Sequence, residues 1–244
     1  MSDRSSLPGI LVLWSAPRSR STAFFRMMAE RGDFTPVHEP FSYLAEFGYV
    51  DIDGDRVTSE PALIERLRSL AARKPVFIKD TTDERYPGVL ADREFLTTDA
   101  VHTFLIRHPR DTIASYQKLN PDVVRHQIGF EAQYELFTQV EHVTGREPVV
   151  IDSDDLLDRP EAVVKSYCER VGIPFLPEAM SWEAGERKEW APSGRWHADA
   201  AKSTGFTRIT EENDVDVEAH PVYGDYLRHH LPFYEMLHAR RLAG

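Results

Sequence analysis

The chain has a single cysteine, Cys168, in 244 residues. An internal disulfide is therefore excluded, and a lone thiol fits a reducing compartment. In "VVKSYCERVG" it stands among apolar residues at helical spacing, which reads as a buried structural thiol. Long apolar runs are missing as well: no stretch approaches the ~18 consecutive apolar residues of a membrane span. The opening "MSDRSSLPGILVLW" has no small-residue cleavage site and leads into a patterned helix, so it reads as a first core strand and not a signal peptide. These features together give the expectation of a cytoplasmic protein. Positive charge is in deficit, with 29 basic against 40 acidic side chains and a net charge of −11. That balance argues against a general nucleic-acid or anionic-membrane binder, while a local basic site for a small anion stays open. Internal repeats and low-complexity tracts are absent too, which leaves an ordinary globular reading.

What is present has the composition of a globular protein, 41% hydrophobic and 28% charged. Strand-like apolar runs recur at Ile10 to Trp14, Pro36 to His38, Val76 to Lys79, Val101 to Ile106 and Val149 to Ile151. Helical spacing fills the intervals, most clearly at Ser21 to Glu30, Ala62 to Ala72, Thr112 to Lys118, Phe130 to Val143 and Glu161 to Val171. Near-continuous apolar strands alternating with helices predict an α/β fold, a parallel sheet flanked by helices on both faces, with residues 1–244 as one domain. Pro109 suits a first helical turn, and Gly145 and Gly172 suit helix ends. "YVDIDGDRV" reads as a hairpin turning at Asp53-Gly54. Its alternating aspartates do not make an EF-hand, because the glycine is misplaced and position twelve is Ala62. Residues 177–217 form an irregular late loop rich in tryptophan and basic residues, and the remainder reads as a C-terminal helix docking through Tyr226, Leu227, Phe233, Tyr234 and Leu237.

The stretch between the first strand and first helix, "SAPRSRST", concentrates Arg18, Ser19, Arg20, Ser21 and Thr22. A helix N-terminus offers unpaired N–H groups and the positive end of a dipole, and a full charge with three hydroxyls completes a cradle for phosphate or sulfate. Simple helix capping by Ser21 is the competing reading. The loop lacks the G-x-x-x-x-G-K-[ST] pattern that holds nucleotide phosphates and magnesium. A second constellation follows the fourth strand in "FLIRHPRDTIAS". There Arg107 leaves the apolar run at the strand's carboxyl end, the edge at which open α/β sheets bind ligands. Two anion sites at one edge imply a ligand with two separated anionic groups.

The pair of motifs resembles that of the P-loop sulfotransferases, in particular their bacterial and plant branch, and "VHEPF", "VFIKD" and "VVIDSDDLLDRPEAVVKSYCERVGIPF" extend the likeness over most of the chain. The resemblance implies a three-layer P-loop-type α/β fold. It also implies transfer of a sulfuryl group from 3′-phosphoadenosine 5′-phosphosulfate (PAPS), without a metal, leaving adenosine 3′,5′-bisphosphate. Carried over, Arg18 stands where many members have a catalytic lysine; Ser19, Ser21 and Thr22 would grip the phosphosulfate; Arg107 and Ser115 would bind the 3′-phosphate. Arg20 departs from the family, which commonly has a small residue such as glycine there. The late loop's Arg195, Trp196 and His197 would close over the nucleotide.

Hydroxyl attack needs a proton acceptor, and His38 and Glu39, at the end of the second strand, are both candidates; the competing reading makes His38 a satisfied core side chain and Glu39 a helix-start carboxylate. Lys79 and Asp80, ending the third strand, would stabilise and orient the transferring group, or form a plain ion pair. Asp152, Asp154 and Asp155 read as a helix cap. The acceptor pocket falls to residues 42–58, 84–96, 120–134 and the late loop. Phe41, Tyr43, Phe47, Tyr49 and Tyr86 hint at an apolar or ring-bearing small molecule. A nucleotide-binding regulatory protein that has lost transfer, and a P-loop kinase, are the alternative classes.

Overall fold

Every residue of β1 (Ile10–Ser15) is buried, and its side chains alternate between two cores. Ile10, Val12 and Trp14 enter one and Leu11 and Leu13 the other, the period of two expected of a strand covered on both faces. The computed structural model describes residues 7–208 and 215–242. After β1 come α1 (Ser21–Glu30), β2 (Thr35–His38), α2 (Pro40–Phe47), a hairpin of β3 (Val50–Ile52) and β4 (Asp55–Val57), and α3 (Glu60–Ala71). Then follow β5 (Val76–Thr81), α4 (Pro87–Ala91), β6 (Ala100–Ile106), α5 (Pro109–Leu119), α6 (Phe130–Thr144) and β7 (Val149–Asp152). The chain continues through α7 (Ser153–Asp158), α8 (Pro160–Val171), α9 (Ala198–Lys202) and α10 (Tyr223–His238).

The five long strands form one parallel sheet in the order β2-β5-β1-β6-β7. On one face α3, α6 and α10 pack Leu63, Leu67, Phe130, Phe137, Leu227 and Leu237 against the Trp14 side. On the other, Phe24, Phe25, Met27 and Met28 of α1 and Val163, Val164, Tyr167 and Cys168 of α8 cover the Leu11 side. The chain leaves β1 toward β2 on one flank and later returns to β6 on the other, so the carboxyl end of β1 is a topological switch point. The register sets the ends of the neighbouring strands beside it: Ser15 pairs with Thr81, Trp14 with Asp80 and His38 with Lys79.

Two elements differ from the sequence reading. Helix α2 starts directly after Glu39, the competing reading of that carboxylate, and runs to Phe47 through a stretch that from Ser42 onward the sequence gave only as variable. Asp80 organises its start by accepting the amides of Phe41 (2.7 Å) and Ser42 (3.1 Å). The late region is also less irregular than expected: Lys188–Trp196 forms two short 3₁₀ pieces broken by a kink at Ser193, and Trp190 is buried in the second core. Arg26 of α1 holds the preceding turn through the carbonyls of Gly185 (2.6 Å) and Glu183. Residues 209–214 of that region, and the chain ends of the expected domain, lie outside the described residues. The hairpin forms as read, with Asp53 (φ 52°) and Gly54 (φ 86°) both left-handed, as a two-residue turn matched to strand twist requires. Among the described residues no helix is long and apolar enough to cross a membrane.

Candidate active site

The loop from Ala16 to Arg20 turns back on itself through two left-handed residues, Arg18 (φ 62°) and Arg20 (φ 65°). Such a conformation in non-glycine residues costs of order 1–3 kcal/mol and persists where the surroundings impose it. Here Gly129 packs beneath the loop: a Cβ on it would meet the Thr82 carbonyl oxygen at 2.9 Å and Pro17 Cδ at 3.0 Å. Helix α1 begins at Ser21 with no side-chain cap from Arg20, so no capping oxygen from that residue competes for its first amides. Ser15 Oγ holds Ser21 Oγ at 2.9 Å, and Ser19 is fully buried, its Oγ without a hydrogen-bond partner among the described residues.

The two sequence motifs meet physically. Arg18 Nε donates to Ser115 Oγ (3.1 Å) and Arg18 Nη1 to the Trp196 carbonyl (2.6 Å). Arg107, buried at the end of β6, donates through Nη1 to the Arg18 carbonyl (3.0 Å). A cavity of about 370 Å³ opens over this junction, and Arg18, Arg20, Ser21, Thr22, Arg107, Arg195 and Trp196 all line it. Ser115 lies buried behind Arg18. Arg195 stacks its guanidinium on the Trp196 ring, 4.7 Å from the centroid, and Tyr116 meets the same ring edge-on at 5.3 Å. Arg20, the family departure, directs its guanidinium to Asp154 (3.0 Å), tying the loop to α7. Asp152 caps α7 through the amides of Asp154 and Asp155, as the sequence suggested.

Glu39 and Lys79 also line the cavity, joined to each other in a buried ion pair. Glu39 is held in a left-handed conformation (φ 46°), its amide on the Lys79 carbonyl (2.7 Å), so the pair is fixed from both backbones. His38 is buried behind them, 3.7 Å from Glu39 Oε2, with its Nδ1 on the Tyr43 hydroxyl at 2.9 Å. Burial, and then the Lys79 charge, hold its ring neutral by lowering its pKa well below the usual histidine value. Asp80 does not reach the cavity. Both its oxygens are taken by the amides of Phe41, Ser42 and Thr81, and burial pushes its pKa well above the ordinary carboxylate range.

Thr81, Asp83, Tyr116 and Leu157 also line the cavity, outside every stretch the sequence assigned to the site, because only the fold brings them to this edge. All four expected acceptor segments contribute, through Ser42, Ala45 and Glu46, Glu84, Asn120 and Gln127, and Ser193 with His197. None of Phe41, Tyr43, Phe47, Tyr49 or Tyr86 is among the lining residues: Phe41, Tyr43 and Tyr86 are core residues, and Phe47 and Tyr49 are exposed off the cavity. The hint of an apolar or ring-bearing acceptor drawn from them does not survive, because strand and helix periodicity turned them inward or away. His38, Glu39 and His197 could together hold a metal ion by spacing alone, yet the Lys79 ammonium already sits on Glu39 and supplies a cation there.

The site thus lies at the switch point of a parallel α/β sheet, where the first strand, loop and helix meet a second arginine-bearing motif from the end of β6. A family model described as the sulfotransferase domain matches residues 10–241, and the chain belongs to that family. Among solved structures, a sulfotransferase from Alicyclobacillus acidocaldarius superposes with a TM-score of 0.54 at 15% identity, covering 97% of each chain. The sulfotransferase domain of the Synechococcus olefin synthase does so with a TM-score of 0.50 at 14% identity, over 100% of this chain and 99% of that one. These likenesses show the fold. Two curated relatives from Arabidopsis thaliana, branched-chain-amino-acid aminotransferase-like proteins 2 and 1, are each 28% identical over 93% and 94% of this chain. The chain spans only 41% and 42% of their lengths.

Proposed function

We propose that this chain transfers a sulfuryl group from PAPS to a hydroxyl of a small-molecule acceptor. The observation that carries the reading is the junction of the two motifs: Arg107 on the Arg18 carbonyl and Arg18 on Ser115, at one wall of a cavity whose other wall presents Glu39 and Lys79. The donor set suits a bisphosphorylated nucleotide, with an uncapped helix start, several hydroxyls and arginines in place of a carboxylate-held metal. Thr22, Ser21 and the first amides of α1 would hold the 5′-phosphosulfate. Arg107 would hold the 3′-phosphate, with Ser115 positioning Arg18 from behind, and Trp196 with Arg195 would cover the nucleotide.

In the transfer, the acceptor oxygen attacks sulfur as the bond from sulfur to the phosphate oxygen breaks, so negative charge grows on the leaving phosphate. Arg18 and Lys79 stabilise that charge electrostatically. The acceptor's proton passes to a carboxylate, and Glu39 is the base this reading assigns, since it reaches the cavity and His38 stands behind it. Asp80 acts through α2, by fixing the helix start next to Glu39. The test is transfer of labelled sulfate from PAPS into a pool of hydroxyl compounds. Label should enter an acceptor with the wild-type chain, and Glu39→Gln should slow entry by about 10²–10⁴. No transfer with any acceptor, together with undiminished nucleotide binding, would favour the regulatory alternative.

A further inference from the structure

Five polar side chains from separate parts of the chain form an unbroken line behind the anion cradle. His38 Nδ1 lies 2.9 Å from the Tyr43 hydroxyl, which lies 2.5 Å from Ser193 Oγ. Ser193 Oγ lies 2.9 Å from His197 Nε2, and His197 Nδ1 lies 3.0 Å from Thr22 Oγ1. Of the five, sulfuryl transfer as proposed above calls on Thr22 alone.

Hydroxyls and neutral imidazoles each donate and accept. Ser193 Oγ also has the Trp190 carbonyl at 3.5 Å, longer than an ordinary O–H···O bond, so the short contacts leave the line two directions, and the proton positions follow from its ends. If it runs from Thr22, the Thr22 hydroxyl donates to His197 Nδ1 and each later group donates onward until Tyr43 donates to His38 Nδ1. The His38 proton must then sit on Nε2. That nitrogen is buried with no hydrogen-bond partner among the described residues, its ring edged by Phe25 and Trp190. A buried N–H without an acceptor is rarer and costlier than a bare lone pair in the same place. The line therefore runs the other way. His38 Nδ1–H donates to Tyr43, Tyr43 to Ser193, Ser193 to His197 Nε2, and His197 Nδ1–H to Thr22. The Thr22 oxygen is then an acceptor on its protein side, and its own proton is left to point into the cavity that it lines.

We propose that Tyr43, Ser193 and His197 are positioning residues, a directional relay that fixes the Thr22 hydroxyl as a donor to the anion bound at the start of α1. Both loop members, Ser193 and His197, come from the segment that covers the cavity, so seating that segment and orienting the donor are one event. The functional half of the inference rests on the cradle holding the 5′-phosphosulfate end of the nucleotide.

The first test uses the nucleotide-free chain with nitrogen-15-labelled histidine, in which long-range proton–nitrogen correlations report the tautomers. His38 and His197 should both carry their proton on Nδ1, and a proton on Nε2 of either ring overturns the relay. The second is calorimetric titration with adenosine 3′,5′-bisphosphate beside adenosine 3′-monophosphate. His197→Ala should weaken the bisphosphate about tenfold, the scale of a hydrogen bond to a charged group, and leave the monophosphate nearly unchanged. His197→Asn, whose side-chain N–H can stand in for Nδ1–H, should recover most of the loss. In a Thr22→Val background, His197→Ala should cost nothing further. Equal weakening of both nucleotides, or additive losses in the double variant, contradicts the relay. A wild-type chain that binds neither nucleotide overturns the sulfuryl-donor reading instead, while the tautomers still decide for or against the relay.

Discussion

Arg20 shows how one residue divides backbone from side-chain chemistry. Its left-handed backbone would suit glycine, and an L side chain there costs roughly 1 kcal/mol. Its ion pair with Asp154, partly exposed, returns about 0–1 kcal/mol. Arg20→Gly should therefore leave stability in urea within about 1 kcal/mol of wild type and bisphosphate binding intact. A large loss of affinity would place the guanidinium on the nucleotide instead. Arg107 is the opposite case, a buried charge at the junction of the motifs. Arg107→Ala should weaken adenosine 3′,5′-bisphosphate by about thirtyfold or more, as for a desolvated charge contact, and barely affect AMP, which lacks the 3′-phosphate. Cys168 is fully buried and its thiol is pushed up to about 11 by burial, so it should resist iodoacetamide at pH 8 in the native state and react on unfolding in urea.

At the scale of elements, the cradle depends on the loop beneath it. Gly129→Ala adds a Cβ against Thr82 and Pro17 at a residue with φ 88°, and should destabilise the fold by about 1–3 kcal/mol and weaken bisphosphate binding, read by urea unfolding and calorimetry. Unchanged binding in a folded variant would free the cradle from this support. The same scale explains what was legible in the sequence. Helix α1 and the five sheet strands were, because local periodicity and the Pro109, Gly145 and Gly172 boundaries carry their own signal. Helix α2 was legible only as an alternative start at Glu39, since that start is fixed by Asp80, about forty residues away along the chain and brought beside it only by the β2–β5 register. The cradle's arginines and hydroxyls could be read from one stretch. The roles of Ser193 and His197 could not, because they arise when Trp190 buries in the second core and brings the late segment over α1. Glu39 and His38 are neighbours in sequence, and only the fold separates the one that lines the cavity from the one behind it.

Across the whole molecule, burial also sets an acid limit. His102 and His230 are held down at about 4 and His197 at about 3, with burial the leading cause in each, and His38 is lowered too. Between pH 6.5 and about 4 the unfolded chain takes up protons on these rings and the native chain does not, so stability must fall as pH falls. Asp80, Asp83 and Asp152, raised by burial, work in the opposite sense, while a fifth lowered ring, His108, and the lowered carboxylates Asp92, Asp154 and Glu131 add to the loss on acidification. The urea midpoint should therefore be lower at pH 4.5 than at pH 7, and a midpoint that rises on acidification would contradict this balance. The larger design is a sheet that brings two basic motifs and one carboxylate–ammonium pair to a single edge, in a chain whose net charge is −11. On the function proposed above, this edge holds a nucleotide with phosphates at both the 3′ and 5′ positions. The most direct measurement is calorimetric titration of the purified chain, without magnesium, with adenosine 3′,5′-bisphosphate beside ATP and AMP. The bisphosphate alone should bind tightly; preferential binding of ATP, or no binding unless magnesium is added, would contradict the proposed donor.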